Sequence, residues 1–170
     1  FPKEVTAVDA VEVMLRGFKD AVRRLEDAVE PSEWPLDLND VLILGSLIES
    51  EAAIANEREV ISSVFHNRLD RGVKLDCDPT VIYALMQSGN YRGRLLREDL
   101  TFDSLYNTYV YGGLPPGAIS NPGFASLLAA IQPVESDYMF FVRAEGGRHS
   151  FSRTLAEHNR AVAAYRRIQE

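Results

Sequence analysis

The sequence predicts an α+β fold that is mainly helical, with a helix ending in two glutamates, a long Gly/Pro/Tyr loop and one small antiparallel hairpin. Apolar residues recur at spacings of three and four through the first half of the chain, which is typical of helices on a core. The stretch 106–123 is rich in glycine, proline and tyrosine and follows no period, whereas 138–152 has two strand-like runs around a Gly-Gly pair. With 46% apolar residues among 170, the composition is that of one globular domain.

Two helices are predicted in the first 51 residues. Thr6 suits the N-cap of a long amphipathic helix from about residue 8 to residue 29, which the prolines at 31 and 35 interrupt. A second helix is expected behind the aspartates at 37–40. We therefore expect residues 1–40 to form a helical lead-in that packs on a core of residues 41–170, in a single domain overall.

Two shorter helices are predicted next. Asn56, followed by Glu59 three positions on, resembles a capping box and introduces a helix to about Leu69. Asp78 is a natural N-cap, and Pro79 suits the first position of a helix that stops near residue 89. Up to this point the chain is predicted to be helical.

The second half of the chain mixes loop, helix and strand. Residues 91–123 hold no period, and an aromatic-rich loop of more than about 12 to 15 residues inside a compact domain is usually functional. Asn121 and Pro122 are expected to begin a helix that Pro133 ends. The hairpin over 138–152 and a last helix over 154–168 complete the chain.

Charge and composition exclude several classes of function. A net charge of −7 and a pI near 5.0 argue against a nucleic-acid partner or an anionic membrane surface, since phosphate binding needs clustered Lys and Arg. No apolar run approaches the roughly 20 residues that cross a bilayer. A single cysteine, Cys77, excludes an internal disulfide, and no two of the three histidines have the spacing of zinc ligands on a helix. We expect no metal and no cofactor.

The two glutamates near residue 50 differ in the helix face that they occupy. Leu44, Leu47, Ile48 and Glu51 fall at i, i+3, i+4 and i+7, which places Glu51 on the apolar stripe, whereas Glu49 lies about 160° away from it. A desolvated carboxyl has a raised pKa, which is the property that a general acid needs near neutral pH. The alternative is that Glu51 lies at the rim of the core and reaches water.

Four segments resemble the catalytic domain of the endolytic murein transglycosylases, the YceG-like family of bacteria. They are "LIESEA" (47–52), "VFHNRLDRGVKLDCDPTVIYAL" (64–85), "YNTYVYGGLPPGAISNPGFASLLAAIQP" (106–133) and "GGRHSFSRTLAEHNRAV" (146–162). The family's LysM-like subdomain and membrane anchor have no counterpart in these residues, and the chain starts at Phe1, so we expect a fragment of a longer protein. Ser50 and Cys77 depart from the residues usual in the family.

The resemblance implies lytic cleavage of the MurNAc-GlcNAc β-1,4 bond of nascent peptidoglycan, with 1,6-anhydroMurNAc ends and Glu51 as the general acid and base. It also implies a location at the extracytoplasmic face of the cell membrane, a single membrane anchor in the full-length protein, and cell-wall synthases as partners. Peptidoglycan strands are the expected substrate.

The expected glycan-binding residues come from the same segments. Tyrosine rings can stack on sugars, while amides and hydroxyls can bond to sugar hydroxyl and N-acetyl groups. The predicted substrate-binding residues are Asn67, Asp78, Tyr83, Tyr106, Asn107, Thr108, Asn121, His149, Glu157 and His158. Packing remains the alternative for each tyrosine, and helix capping for Asp78. His158, with Glu157 and Asn159, is expected to hold hydrogen bonds near the cleft wall, with a surface or packing role as the alternative. Arg68 is expected to form an ion pair within the fold, with binding of stem-peptide carboxylates as the alternative.

Two other functions stay open at the level of sequence. A water-using muramidase would need a second carboxylate, for which Asp76, Asp78 and Glu49 are the candidates. A glycan-binding module without activity would use the Tyr-rich loop and give Glu51 a structural role.

Overall fold

A computed structural model of the chain describes residues 6–169. The chain divides into two compact units, residues 1–35 and 36–170. In the first unit, helix α1 (Ala7–Ala28) begins at a capping box in which Thr6 and Asp9 bond to each other's backbone N–H. The predicted first helix and its Thr6 cap are therefore confirmed, while the packing of residues 1–40 on the core stays a prediction.

Helix α2 (Leu38–Glu51) is the central helix of the second unit. Asp37 caps it by accepting a hydrogen bond from the Asp40 N–H at 2.9 Å. Its buried residues lie all round its middle turns, because α2 contacts α3 (Arg58–Asp70), α4 (Asp78–Gln87) and α5 (Phe124–Ile131). Helices α2 and α5 pack closely at Gly45, where an added Cβ would lie 2.9 Å from Leu127 Cδ2.

Three predicted helix starts are wrong by one to three residues. Helix α3 follows a 3-10 turn, and its N-cap is Glu57 without a side-chain hydrogen bond, so the Asn56 capping box does not form. The N-cap of α4 is Cys77, which makes Asp78 the first helical residue and frees its carboxylate from the cap. Helix α5 begins only after Gly123, where the Glu49 carboxylate from α2 accepts the Gly123 N–H at 3.2 Å.

The long loop is confirmed and holds one 3-10 turn, Arg97–Thr101. Asn107 organises it from within. Its side chain is fully buried and donates to the carbonyls of Leu100 and Phe102 at 3.1 and 2.8 Å, while its carbonyl oxygen accepts the Tyr109 N–H at 2.9 Å. The loop therefore has a defined shape although it has little regular structure.

The predicted hairpin and last helix are also present. Strands β1 (Phe140–Arg143) and β2 (His149–Ser152) pair antiparallel, with Phe140 opposite Ser152 and Arg143 opposite His149. The connection contains Gly146 and Gly147, both with positive φ, which glycine adopts at no steric cost. Helix α6 (Leu155–Gln169) packs on both strands. The α+β class is confirmed, and within residues 6–169 no helix has the length and apolarity to traverse a bilayer.

Candidate active site

A cleft of about 680 Å³ opens in the second unit between the end of α2, the start of α4, the hairpin and α6. Its walls combine ionisable and aromatic side chains from segments far apart in sequence. The charged and titratable side chains on its walls include Glu51, Arg68, Asp76, Asp78, Arg143 and His149. The other aromatic side chains are Tyr109, Phe140, Phe141, His158 and Tyr165.

Glu51 is the last residue of α2, lines the cleft and is half-buried. Burial raises the pKa of Glu51 to about 7, the negative charge of Asp78 contributes in the same direction, and the Cys77 thiol and Arg143 oppose both. A carboxyl with this pKa is partly protonated at neutral pH and can both give and accept a proton there. Glu51 therefore lies on the inward side of α2 that the apolar stripe predicts, with the raised pKa expected there.

Glu49 points to the opposite side of α2 and belongs to the packing of α5. Its Oε2 accepts hydrogen bonds from the Ser126 hydroxyl at 2.5 Å and from the Gly123 N–H, and Arg58 lies 4.0 Å from Oε1. The Ser126 hydrogen bond is the main reason that the pKa of Glu49 is lowered. Two glutamates separated by one residue therefore have opposite electrostatic environments.

Asp78 and Tyr109 form a pair on the cleft wall. The Tyr109 hydroxyl donates to Asp78 Oδ1 at 2.6 Å, and burial together with this carboxylate raises the pKa of Tyr109 far above its ordinary value. Tyr109 thus stays a donor, and Asp78 keeps a second oxygen for other contacts. Asp78 is the carboxylate whose charge raises the pKa of Glu51.

Arg68 braces the base of the cleft. Its guanidinium is buried, donates to the carbonyls of Met139, Lys74 and Leu75 at 2.6 to 3.0 Å, and pairs with Asp76 Oδ2 at 2.9 Å. The expected role as an ion-pair partner within the fold is confirmed. Because Asp76 is committed to this pair, Asp78 is the carboxylate best placed to act beside Glu51.

The two predicted histidines both line the cleft but differ in their partners. Glu57 holds His149 twice, by accepting its backbone N–H at 3.0 Å and its Nδ1–H at 2.7 Å, and thereby orients the ring. His158 stacks on Phe140 at 5.2 Å between ring centroids, and its buried Nδ1 has no hydrogen-bond partner among the described residues. Burial, and then the charge of Arg68, lower the pKa of His158, so its imidazole is neutral at pH 7.

Comparison with known proteins identifies the family. The sequence model of the YceG-like family matches residues 1–164. The chain belongs to the YceG-like family. It is 38% identical over 157 residues to the endolytic murein transglycosylase of Bacillus subtilis, a match that covers 92% of this chain and 42% of that protein. The endolytic murein transglycosylase of Streptococcus pneumoniae is 32% identical over 135 residues, which are 76% of this chain and 24% of that protein.

A solved structure agrees with this assignment. The crystal structure of a YceG-like protein from Listeria monocytogenes superposes with a TM-score of 0.68 at 39% sequence identity, covering 90% of this chain and 45% of that one. This YceG-like chain therefore spans less than half the length of the relatives that it matches.

Several predicted binding residues lie outside the lining of the cleft. Asn67 donates both amide hydrogens to the carbonyls of Ser136 and Tyr138, at 2.8 and 2.9 Å, and so ties α3 to the segment before β1. Asn107 is committed to the loop interior as described above. Thr108 is buried and accepts the Cys77 N–H at 3.0 Å, below the candidate site. These contacts give all three residues structural roles, and substrate contact by them stays a prediction.

The remaining predicted residues have other surroundings. Tyr83 and Tyr106 pack on each other with ring centroids 4.8 Å apart, and Asn121 is exposed. Glu157 accepts the N–H groups of Arg153 and Thr154 at 2.8 and 3.2 Å and forms a capping box at the start of α6. None of these four residues lines the cleft, so substrate contact by them stays a prediction.

Three residues of the site were not predicted from sequence. Cys77 contacts Glu51, Arg143 faces the cleft from β1, and Glu57 holds His149. Cys77 had one signal, its departure from the residue usual at that position in the family. No local pattern marks Glu57 or Arg143, because their partners are reached only through tertiary contacts.

Proposed function

We propose that this YceG-like chain is the catalytic part of an endolytic murein transglycosylase, a lyase that cleaves the MurNAc-GlcNAc β-1,4 bond within nascent glycan strands and leaves 1,6-anhydroMurNAc ends. The observation that carries the proposal is Glu51, a carboxyl with a pKa of about 7 on a cleft of about 680 Å³. The names of the Bacillus and Streptococcus relatives support the same class of reaction.

In the first half of the proposed reaction, protonated Glu51 acts as general acid. It gives its proton to the glycosidic oxygen while the bond between that oxygen and C1 of MurNAc breaks, so the departing GlcNAc gains a hydroxyl. Positive charge develops on C1 and the ring oxygen. The carboxylate of Asp78, held in place by Tyr109, lies on the same cleft and can stabilise this charge.

In the second half, the same group acts as base. The ionised Glu51 accepts the proton of the MurNAc 6-hydroxyl while that oxygen forms the new bond to C1, which closes the anhydro ring and regenerates the acid. No water is consumed. A single carboxyl suffices because its pKa near 7 lets both protonation states be populated at neutral pH.

The proposed function includes a cellular location and a source of substrate. By resemblance, the full-length protein is anchored by one membrane segment and acts at the extracytoplasmic face, on strands supplied by cell-wall synthases. Peptidoglycan sugars carry no phosphate, which is compatible with the net charge of −7 of this chain.

One observation favours a second candidate, a water-using muramidase. Asp78 lies on the cleft close enough to Glu51 to raise the pKa of that residue, and a carboxylate in this position can activate water. The two reactions differ in their products, since hydrolysis leaves reducing ends and takes one oxygen atom from solvent.

The test is mass spectrometry of uncrosslinked peptidoglycan strands digested in ¹⁸O-water. We expect the wild-type protein to release anhydro-ended fragments that carry no ¹⁸O, and we expect Glu51→Gln to release no fragments. Glu49→Gln is the matched control, because it makes the same change two residues away on the other side of α2, and it should retain cleavage when folded. Reducing ends carrying ¹⁸O would favour the muramidase, and equal cleavage by Glu51→Gln would remove Glu51 from the mechanism. Absence of cleavage by every variant would favour a binding module.

A further inference from the structure

Cys77 lies directly against the candidate acid. It is the only cysteine of the chain, it is 1% exposed, and its Sγ is 3.4 Å from Oε1 of Glu51, in the geometry of an S–H donor to a carboxyl oxygen. Although Cys77 is the N-cap of α4, its side chain makes no capping hydrogen bond. The thiol is therefore directed to Glu51 and not to the helix that it precedes.

A buried network fixes the position of the sulfur. The Cys77 N–H donates to Thr108 Oγ1 at 3.0 Å, and its carbonyl accepts the Thr80 hydroxyl at 2.6 Å. The hydroxyls of Thr80 and Thr108 are 2.9 Å apart and both side chains are fully buried. Two hydrogen bonds hold the Cys77 backbone, and the hydrogen bond that the thiol itself makes is the one to Glu51.

We propose that Cys77 is a positioning residue for Glu51: its S–H donates to Oε1, so that Oε1 takes the role of the carbonyl oxygen and the acid proton resides on Oε2. The role in catalysis rests on the proposed function, whereas the hydrogen bond itself does not. An oxygen that accepts a hydrogen bond is the less favourable one to protonate, so the thiol selects which oxygen of Glu51 delivers the proton.

The thiol is suited to this role because it stays protonated. Burial raises the pKa of Cys77 well above its ordinary range, and the neighbouring Glu51 adds to the effect, so the sulfur is a donor and not a nucleophile over the working pH range. A donor also favours the ionised form of its acceptor. Cys77 thus opposes the burial that raises the pKa of Glu51 and keeps that pKa near neutrality.

Other charged groups act on Glu51 and must be kept constant in any test. Asp78 at the start of α4 raises its pKa, and Arg143 on β1 lowers it. The other ionisable groups on the cleft walls come from α3, β2, α6 and the loops, and they are Arg68, Asp76, Tyr109, His149, His158 and Tyr165. All of these side chains are the same in the wild-type protein and in the Cys77 variants.

The first test uses the unaltered protein and infrared spectroscopy. Because the chain has one cysteine, the S–H stretching band reports on Cys77 alone. We expect the band to move to lower frequency as the pH rises through about 7, since an ionised carboxylate is the stronger acceptor. In Glu51→Gln the band should lose its pH dependence. A band of constant frequency in the wild-type protein between about pH 5 and about pH 9, a range that spans the ionisation, would overturn the proposal.

The second test compares Cys77→Ala with Cys77→Ser. The carboxyl carbon of Glu51 is followed by NMR against pH, its signal being identified by its loss in Glu51→Gln. We expect Cys77→Ala to raise the midpoint by about half to one pH unit, the effect of one hydrogen bond of ordinary net strength, and Cys77→Ser to return it toward wild type because a hydroxyl donor is kept. Equal midpoints in the three folded proteins would contradict the proposal.

The two proposals fail in different ways. If the S–H band follows the ionisation of Glu51 but no anhydro ends are formed, the hydrogen bond stands and the proposed function falls. If anhydro ends are formed while the band and the midpoints do not respond, the proposed function stands and Cys77 is only a packing residue. Since the infrared test needs no substitution at Cys77, it decides the matter even where Cys77→Ala does not fold.

Discussion

Replacing Glu51 by Gln should stabilise the protein, and the gain should grow with pH. Burial raises the pKa of Glu51 to about 7 from an ordinary value of 4.5, so the folded state holds a proton that the unfolded chain releases. Gln has nearly the same shape, can accept the Cys77 thiol through its carbonyl oxygen, and carries no charge. The substitution therefore removes an ionisation cost and leaves the packing in place.

The magnitude follows from the separation of the two pKa values. Below about pH 4.5 the carboxyl is protonated in both states, and the substitution should change the free energy of unfolding little. As the pH rises from 4.5 to 7 the unfolded chain ionises first, and the wild-type protein loses stability until both states are ionised. At about 1.4 kcal/mol for each pH unit of separation, the difference reaches a ceiling of about 3 kcal/mol above pH 7. Contact with cleft water reduces it.

The assay is urea unfolding of wild type and Glu51→Gln at several pH values from acid to mildly alkaline. Glu49→Gln is the matched control with the opposite sign. Because the Ser126 hydroxyl and the Gly123 N–H lower the pKa of Glu49, its carboxylate stabilises the folded state above the ordinary carboxyl pKa, and that contribution is lost as the pH falls. Glu49→Gln should therefore destabilise at neutral pH and matter less in acid.

A Glu51→Gln difference that is the same at acid and alkaline pH would contradict a raised pKa of Glu51, and so would a loss of stability at pH 8. The first result would mean that Glu51 ionises in the folded protein as it does in the unfolded chain, and the second that its ionised form stabilises the folded state. Either would remove the basis for a general acid at neutral pH. A gain in stability together with loss of cleavage would instead show that this position is selected for activity at a cost in stability.

The same contacts determine how activity and stability should respond to four other perturbations. Cleavage by the wild-type protein should fall as the pH rises through about 7. Asp78→Asn should move this alkaline limb of the pH–rate profile to lower pH, because it removes a charge that raises the pKa of Glu51. An unmoved limb would mean that the charge of Asp78 does not act on Glu51. Arg68→Met should lower the urea-unfolding free energy by about 3 kcal/mol, since it leaves Asp76 and three carbonyls without their donor, and a loss near zero would contradict the bracing role. Asn107→Ala should lower the melting temperature through a loss of about 2 kcal/mol, whereas an unchanged melting temperature with weakened catalysis would return Asn107 to substrate binding. Gly45→Ala should cost about 1 to 2 kcal/mol by calorimetry, because the new methyl group meets Leu127 at 2.9 Å, and a neutral outcome would mean that α2 and α5 move apart freely.

Local sequence patterns predicted that the helices and the hairpin exist, and they distinguished Glu51 from Glu49 as the candidate acid. The Thr6 cap, the Asp37 cap and the glycines of the hairpin act within a few residues, so their effect can be predicted from adjacent positions. The apolar stripe of α2 follows from helical periodicity alone. That periodicity separated Glu51 from Glu49 before any tertiary contact was considered.

The starts of α3, α4 and α5 could not be predicted in this way, and neither could the hydrogen-bond partners of the predicted binding residues. The α5 start depends on the Glu49 carboxylate, which is 74 residues from Gly123, and a capping pattern near Asn121 carries no trace of it. Asn107 and Thr108 have the chemistry of sugar-binding residues, but the fold uses their polar groups to satisfy buried backbone atoms. The type of a residue shows which hydrogen bonds its side chain can form, but it does not show which partner the side chain has in the folded protein.

The sequence by itself determined the fold class, the family and the candidate acid, since these depend on local periodicity and on motifs that stand in order along the chain. Only the tertiary structure decided what surrounds that acid. Cys77 reaches Glu51 across 26 residues and Glu57 reaches His149 across 92. The pKa of Glu51 is set by burial, by the hydrogen bond from Cys77 and by the opposed charges of Asp78 and Arg143. These groups surround Glu51 only in the folded chain.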